Sequence, residues 1–223
     1  MTFTENKSMT PQSDALLEAG FDDPVMEALQ VFRVALKAMS EPGLAGELAA
    51  RRGIAALAPA TCALLLSLLD GNTPLWISPR LDSPALRANL TFHCNCPIVA
   101  HRREAAFAVL DGEECLDLRE FNTGEARRPD MSCTLIIQLP DLQGGAPARW
   151  RGAGILRERL VFLPLAGRFW LARADRNAFP LGLDIFFTAG RRLMGLPRTT
   201  QTECVDWLAV SGACAHPRSK EYC

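Results

Sequence analysis

Lysine is almost absent from this chain. Of 24 basic residues only Lys7, Lys37 and Lys220 are lysines, and His93, His101 and His216 are its 3 histidines. Lysine and histidine carry most Schiff-base and general-base chemistry near neutral pH, so little is left for self-contained catalysis. Net charge is lacking too: a formal value of −1 gives no global field that would draw nucleic acid or anionic lipid. The many arginines suit anion recognition, but codon bias is the plainer reading, since a net charge near zero leaves no basic surface. The longest apolar run, 55–69, contains Pro59 and is too short to span a bilayer. The opening residues MTFTENKSMTPQSD have neither the apolar core nor the small-residue cleavage site of an export signal. Eight scattered cysteines make no small disulfide framework. Walker-type GxxxxGK[ST] and GxSxG motifs are missing. These absences predict a cytoplasmic protein without cofactor, metal, nucleic-acid partner or membrane partner.

What is present is an ordinary globular composition, 48% hydrophobic and 22% charged over 223 residues. Residues 1–20 are polar and read as a mobile segment, 21–204 as a single α/β domain, and 205–223 as an extension ending in a peripheral helix and a loose end. Asp22, Asp23 and Pro24 announce a helix. Val25, Leu29, Phe32, Leu36 and Met39 recur at spacings of four and three, which predicts a helix buried nearly all round and stopped by Pro42 and Gly43. Further helices are expected at 59–70, 84–90 and 163–177, and a helical turn at 113–119. Strands are expected at 75–77, 105–110 and 134–139, with a polar loop at 122–130. The GlyGly pair at 144–145 predicts a hairpin joining 134–139 to 149–155. A second hairpin runs from Leu181–Phe187 through Gly190 to 193–196, where Pro197 ends it and presents Arg198, Thr199 and Thr200. Alternation in the first half and hairpins in the second predict a mixed β-sheet flanked by helices on both faces.

Several residues invite chemistry. Arg33 and Lys37 lie one turn apart on the first helix, which ends at Ser40, Glu41, Pro42 and Gly43; a wetted helix edge with a proline–glycine stop is the plainer reading. His93, Cys94 and Cys96 suggest a metal, but no second close Cys/His pair completes a zinc set. RGAGI at 151–155 is a fragment of a phosphate loop placed among strands, where its glycines suit close packing. Asp184 is an anomaly among Leu183, Ile185 and Phe186: a desolvated carboxylate needs a partner, and Arg198 is a candidate.

The segments FRVALKAMSEPG (32–43), LLLSLLDGNTPLWISP (64–79), NLTFHCNCPIV (89–99), RWRGAGIL (149–156) and NAFPLGLDIFFTAGRRLMGLPRTT (177–200) resemble, in order, the H subunit family of the bacterial carbon–phosphorus lyase system, PhnH. That resemblance implies the fold of the large domain of pyridoxal-phosphate-dependent transferases without the cofactor site. It also implies a homodimer that joins the G, I and J subunits and supports formation of ribose 1-methylphosphonate 5-triphosphate from ATP and a phosphonate. Two functions follow. In one the chain is a non-catalytic scaffold, with Asp184 and Gly43 as structural or interface residues. In the other it lends residues to a site shared with the I subunit: Arg33, Ser40, Arg198 and Thr199 for anions, Glu41 or His93 for proton transfer.

Overall fold

The computed structural model describes residues 17–114 and 117–205. The expected 205–223 extension therefore lies outside the described residues apart from Val205, and so do residues 1–16. Residues 17–20, expected to be mobile, are tied down: the Glu18 amide donates to Asn89 Oδ1 (2.8 Å), its carbonyl meets His93 Nε2 (2.9 Å), and its carboxylate accepts from the Ala55 amide (2.8 Å).

Helix α1 (Pro24–Ser40) starts where Asp23 accepts from the Met26 amide and Glu27 reaches back to the Asp22 and Asp23 amides, satisfying the free donors of the first turn. There follow β1 (Ala45–Glu47), α2 (Pro59–Leu68), β2 (Leu75–Ile77), α3 (Pro84–Cys94), β3 (Phe107–Asp111), β4 (Thr134–Gln138), β5 (Ala148–Arg151), β6 (Arg159–Val161), α4 (Gly167–Arg176), β7 (Asp184–Ala189), β8 (Arg192–Leu196) and β9 (Gln201–Cys204). Proline opens α1, α2 and α3, where its missing N–H costs no helical bond. Helix α2 has no side-chain cap of its own. Gln138 supplies one from β4, accepting from the Ala58 amide (2.7 Å) and the Thr61 hydroxyl (2.9 Å). In place of the helical turn expected at 113–119, the described residues show tight turns at 112–114 and 119–120.

Six strands form a mixed sheet in the order β1-β8-β7-β4-β3-β2. Strands β2, β3, β4 and β7 run parallel, while β8 is antiparallel to both β7 and β1. Alternate residues divide two cores: Leu135, Ile137, Ile185 and Phe187 face one, Val109, Ile136 and Phe186 the other. Helices α1, α2 and α3 cover the second face. The first is covered by α4 and by a three-stranded antiparallel sheet, β6-β5-β9, built around Trp150, Phe169 and Trp170. The expected pairing of 134–139 with 149–155 is wrong. β4 lies between β3 and β7, and β5 makes its hairpin with β6 instead. Gly145 serves the approach of 145 to 163, since a Cβ there would stand 1.7 Å from the Leu163 carbonyl oxygen. The β7–β8 hairpin forms as expected, turning at Gly190 with φ +55°.

Helix α1 corrects the sequence reading most sharply. Its buried residues are Val31, Ala35 and Ala38, whereas Val25, Phe32 and Leu36 are 75%, 48% and 60% exposed. Most of the large apolar stripe read as core points outward, and only Met39 at its end packs against the core. The reason is a very close approach to the sheet: a Cβ on Gly195 of β8 would lie 2.5 Å from the Ala38 carbonyl oxygen, and one on Gly46 of β1 2.8 Å from Val34 Cγ1. Gly195→Ala is therefore expected to lower stability by roughly 2–4 kcal/mol, because backbone atoms must move to admit one methyl group. Urea unfolding of the variant against the parent chain measures this.

Candidate functional site

Three turns from distant parts of the chain meet at the C-terminal end of α1. Gly43 (φ +81°) closes the helix, and a Cβ there would lie 2.9 Å from both Arg159 Cδ and Val161 Cγ2. In the β5–β6 turn, a Cβ on Gly154 would fall 2.0 Å from the Ser40 carbonyl oxygen, and one on Gly152 3.0 Å from that of Thr199. The SEPG, RGAG and PRTT segments thus pack backbone to backbone. Arg159 fastens the first of them by donating to the Pro42 and Glu41 carbonyls.

The third turn is held from inside by two arginines. Arg173 of α4 is 2% exposed and donates to the Pro197 and Thr200 carbonyls (both 3.0 Å) and to Thr202 Oγ1 (3.3 Å). Burial pulls its guanidinium down to about 10, opposed by the nearby Asp184 charge, so it stays protonated at neutral pH. Arg198 gives its amide to Asp184 Oδ1 (2.8 Å) and its Nε to Oδ2 (3.1 Å). Its two Nη groups go to the Pro129 carbonyl, Ser132 Oγ and Asp184. The lone carboxylate of β7 is therefore partnered as the sequence suggested, and the Arg198 donors that would have met an anion are taken up within the chain.

The other predicted residues divide into two groups. Ser40, Glu41, Gly43 and Thr199 come together at the three turns, with Ser40 Oγ donating to the Lys37 carbonyl (2.9 Å) and Glu41 4.0 Å from Lys37 Nζ. Arg33 lies exposed farther up α1. His93 is elsewhere, on α3 against Glu18 and Gly20, away from the turns. Burial pushes the Cys94 thiol up to about 12 and raises Cys96 as well, which makes both poor nucleophiles. Among the described residues no group of three His, Cys, Asp or Glu side chains could hold a metal.

Sequence reasoning missed what flanks the turns. Val25, Leu29, Phe32 and Leu36 form an outward seam with the 4-3-4 spacing of a heptad repeat, and Met39, next in the series, is half-buried against the core. Its lower half borders an open cavity of about 360 Å³ between α1 and the sheet, lined by Phe32, Leu36, Met39, Phe107, Phe186 and Pro197. On the adjoining β5–β6 turn, Leu156 is 99% exposed. The available signal was the second, smaller stripe on the same helix, Val31, Ala35 and Ala38, which competes for the core.

Residues 19–203 match the model of a family described as bacterial phosphonate metabolism protein (PhnH). The chain belongs to the PhnH family. It is 36% identical over 200 residues, covering 87% of this chain and 99% of the other, to the Rhizobium meliloti (strain 1021) protein named alpha-D-ribose 1-methylphosphonate 5-triphosphate synthase subunit PhnH. It is 31% identical over 98 residues, 43% of this chain and 50% of the other, to a Stutzerimonas stutzeri protein named putative C-P lyase subunit protein HtxG. The family match spans all three turns and the seam.

The side chains of Asp184 and Arg198 are 24% and 14% exposed, so each shields the other from water. Replacing Asp184 by Ala strands a half-buried guanidinium and is expected to lower stability by about 2–4 kcal/mol. The double variant Asp184→Ala/Arg198→Met should lose less than the two single losses combined, as a double-mutant cycle in urea would show.

Proposed function

We propose that this chain is a subunit of the carbon–phosphorus lyase system, in the part of it that makes ribose 1-methylphosphonate 5-triphosphate, and that it acts as a dimeric scaffold without catalysis of its own. The observation that carries the reading is the outward seam of α1. A continuous row of large apolar side chains with heptad spacing exceeds the scattered exposure normal for a monomer and suits a facing helix. A second copy of the chain meets this seam, and the adjoining turns, with Leu156 at their edge, receive the G, I or J subunits. The names of the two relatives, both subunits, support an assembled state. The likeness to the large domain of pyridoxal-phosphate-dependent transferases is part of the same proposal. Lys37 is the single lysine among the described residues, and it stands in solvent on α1 beside Glu41, a place unsuited to a Schiff base.

One observation favours a second reading, in which the chain lends groups to a site shared with the I subunit. Ser40, Glu41 and Thr199 gather beside the seam, where subunits would meet, and Thr199 is exposed with no hydrogen-bond partner among the described residues. In that reading they bind anion oxygens or move a proton, while Arg33 sits on the rim.

Leu36→Asp places a charge in the seam and is expected to turn the dimer into a monomer, with the far-ultraviolet circular dichroism unchanged. Sedimentation equilibrium and co-purification with tagged G, I and J subunits read the outcome. A variant that still dimerises and still co-purifies contradicts the scaffold reading. Glu41→Gln and Thr199→Ala should leave both assembly and reconstituted synthase activity intact. Loss of activity with assembly retained would instead establish the shared site.

A further inference from the structure

The opposite edge of the sheet carries a second cluster that the scaffold reading does not use. His101 caps the short 3-10 turn before β3, Arg102 and Arg103 lie within it, and with Glu120 the three line one cavity of about 260 Å³. Arg102 is fixed in place. Its guanidinium lies 4.6 Å from the Trp76 ring centre and 5.4 Å from that of Phe121, rings that meet edge to face at 5.7 Å, and its Nη1 donates to the Asp117 carbonyl (2.9 Å). Two aromatic faces strip water from the cation while supplying only part of the missing charge.

No carboxylate among the described residues forms a salt bridge with it, and the Asp117 carboxylate acts on it only at longer range. Asp117 is engaged by Arg119 through Nε (3.0 Å) and Nη2 (2.9 Å). Arg119 holds that carboxyl well below the usual range, so it stays ionised in this pair. Among the described residues neither Arg102 nor Arg103 forms a salt bridge, and the His101 ring forms no hydrogen bond. The cavity therefore presents a preorganised guanidinium, a second guanidinium without a salt bridge and an imidazole, with Glu120 as the acidic residue of its lining. Forked N–H donors of this kind match the oxygens of a tetrahedral anion.

We propose that this cavity binds a small phosphoryl or phosphonyl dianion, held by Arg102 and Arg103 and completed by His101. Its volume falls below the roughly 300–1,000 Å³ of pockets that enclose drug-sized ligands, so it suits inorganic phosphate or a short alkylphosphonate and not a whole nucleotide. The site is argued from its own geometry. Only the choice of methylphosphonate as a probe rests on the proposed function.

The test is isothermal titration of the full chain with inorganic phosphate, methylphosphonate and ATP in separate arms. One saturable site per chain is expected for at least one of the two small anions, weakened about tenfold by Arg103→Ala, as loss of a charged hydrogen-bonding group implies. Glu120→Gln should tighten binding several-fold by removing the opposing charge. Arg103 is exposed and has no partner among the described residues, so its replacement leaves the fold intact; Arg102→Ala, checked by circular dichroism, is the second variant. Absence of saturable binding by both small anions overturns the proposal, as does equal affinity in Arg103→Ala. ATP binding that Arg103→Ala does not alter, in place of small-anion binding, also overturns it. Because the cluster lies at the β2 edge and α1 at the other, these results leave subunit association unaffected, and co-purification judges that separately.

Discussion

Helix α1 lies on β8 and β1 because Gly195 and Gly46 carry no side chains there. The Gly195 backbone comes so close to Ala38 that even a methyl group would collide with the helix backbone, and a Cβ on Gly46 would press on Val34. A helix seated this deeply can turn only small residues inward, and the inner stripe is Val31, Ala35 and Ala38. Its large apolar residues then have nowhere to go but outward. The missing Cβ atoms thus decide which face of α1 meets the core, and the rejected face becomes the surface most in need of a partner.

The same constraint organises the neighbouring turns. Gly43, Gly152 and Gly154 let three chain segments stack on backbone contacts at the end of α1, and Arg159, Arg173 and Arg198 tie them down through carbonyls. Arginine suits this work because its planar fork satisfies several oxygens at once without losing its charge. Much of what looks like anion-binding apparatus in the sequence is therefore internal fastening. Ser40, Glu41 and Thr199 are left facing outward beside the seam. The guanidinium groups of Arg159, Arg173 and Arg198 are thus spent on the chain's own carbonyls and on Asp184.

The parts of this fold that local chemistry encodes were legible in the sequence. Pro59, Pro84 and Asp23–Pro24 marked helix starts, Gly190 marked the β7–β8 turn, and a carboxylate inside an apolar strand demanded a partner that proved to be Arg198. Non-local pairings were not. The run at 134–138 reads alike whether it belongs to a hairpin or to the middle of a parallel sheet, since both present β-branched apolar residues. Strands β1 and β6 have three residues each, too few to show a period. The facing of α1 was hidden because two apolar stripes share one helix and only the sheet chooses between them. His93 illustrates a related limit: its place in a recognised segment said nothing of its actual neighbours, Glu18 and Gly20.

Hydroxyl-radical footprinting of the seam, in the isolated chain at submicromolar concentration and again in the reconstituted assembly, tests the central claim most directly. The account predicts that Phe32 and Leu36 are readily oxidised in the dilute chain and strongly protected in the assembly, while Val31 is protected in both. Seam residues that remain equally reactive after assembly, or that are already protected in the dilute monomer, would contradict it.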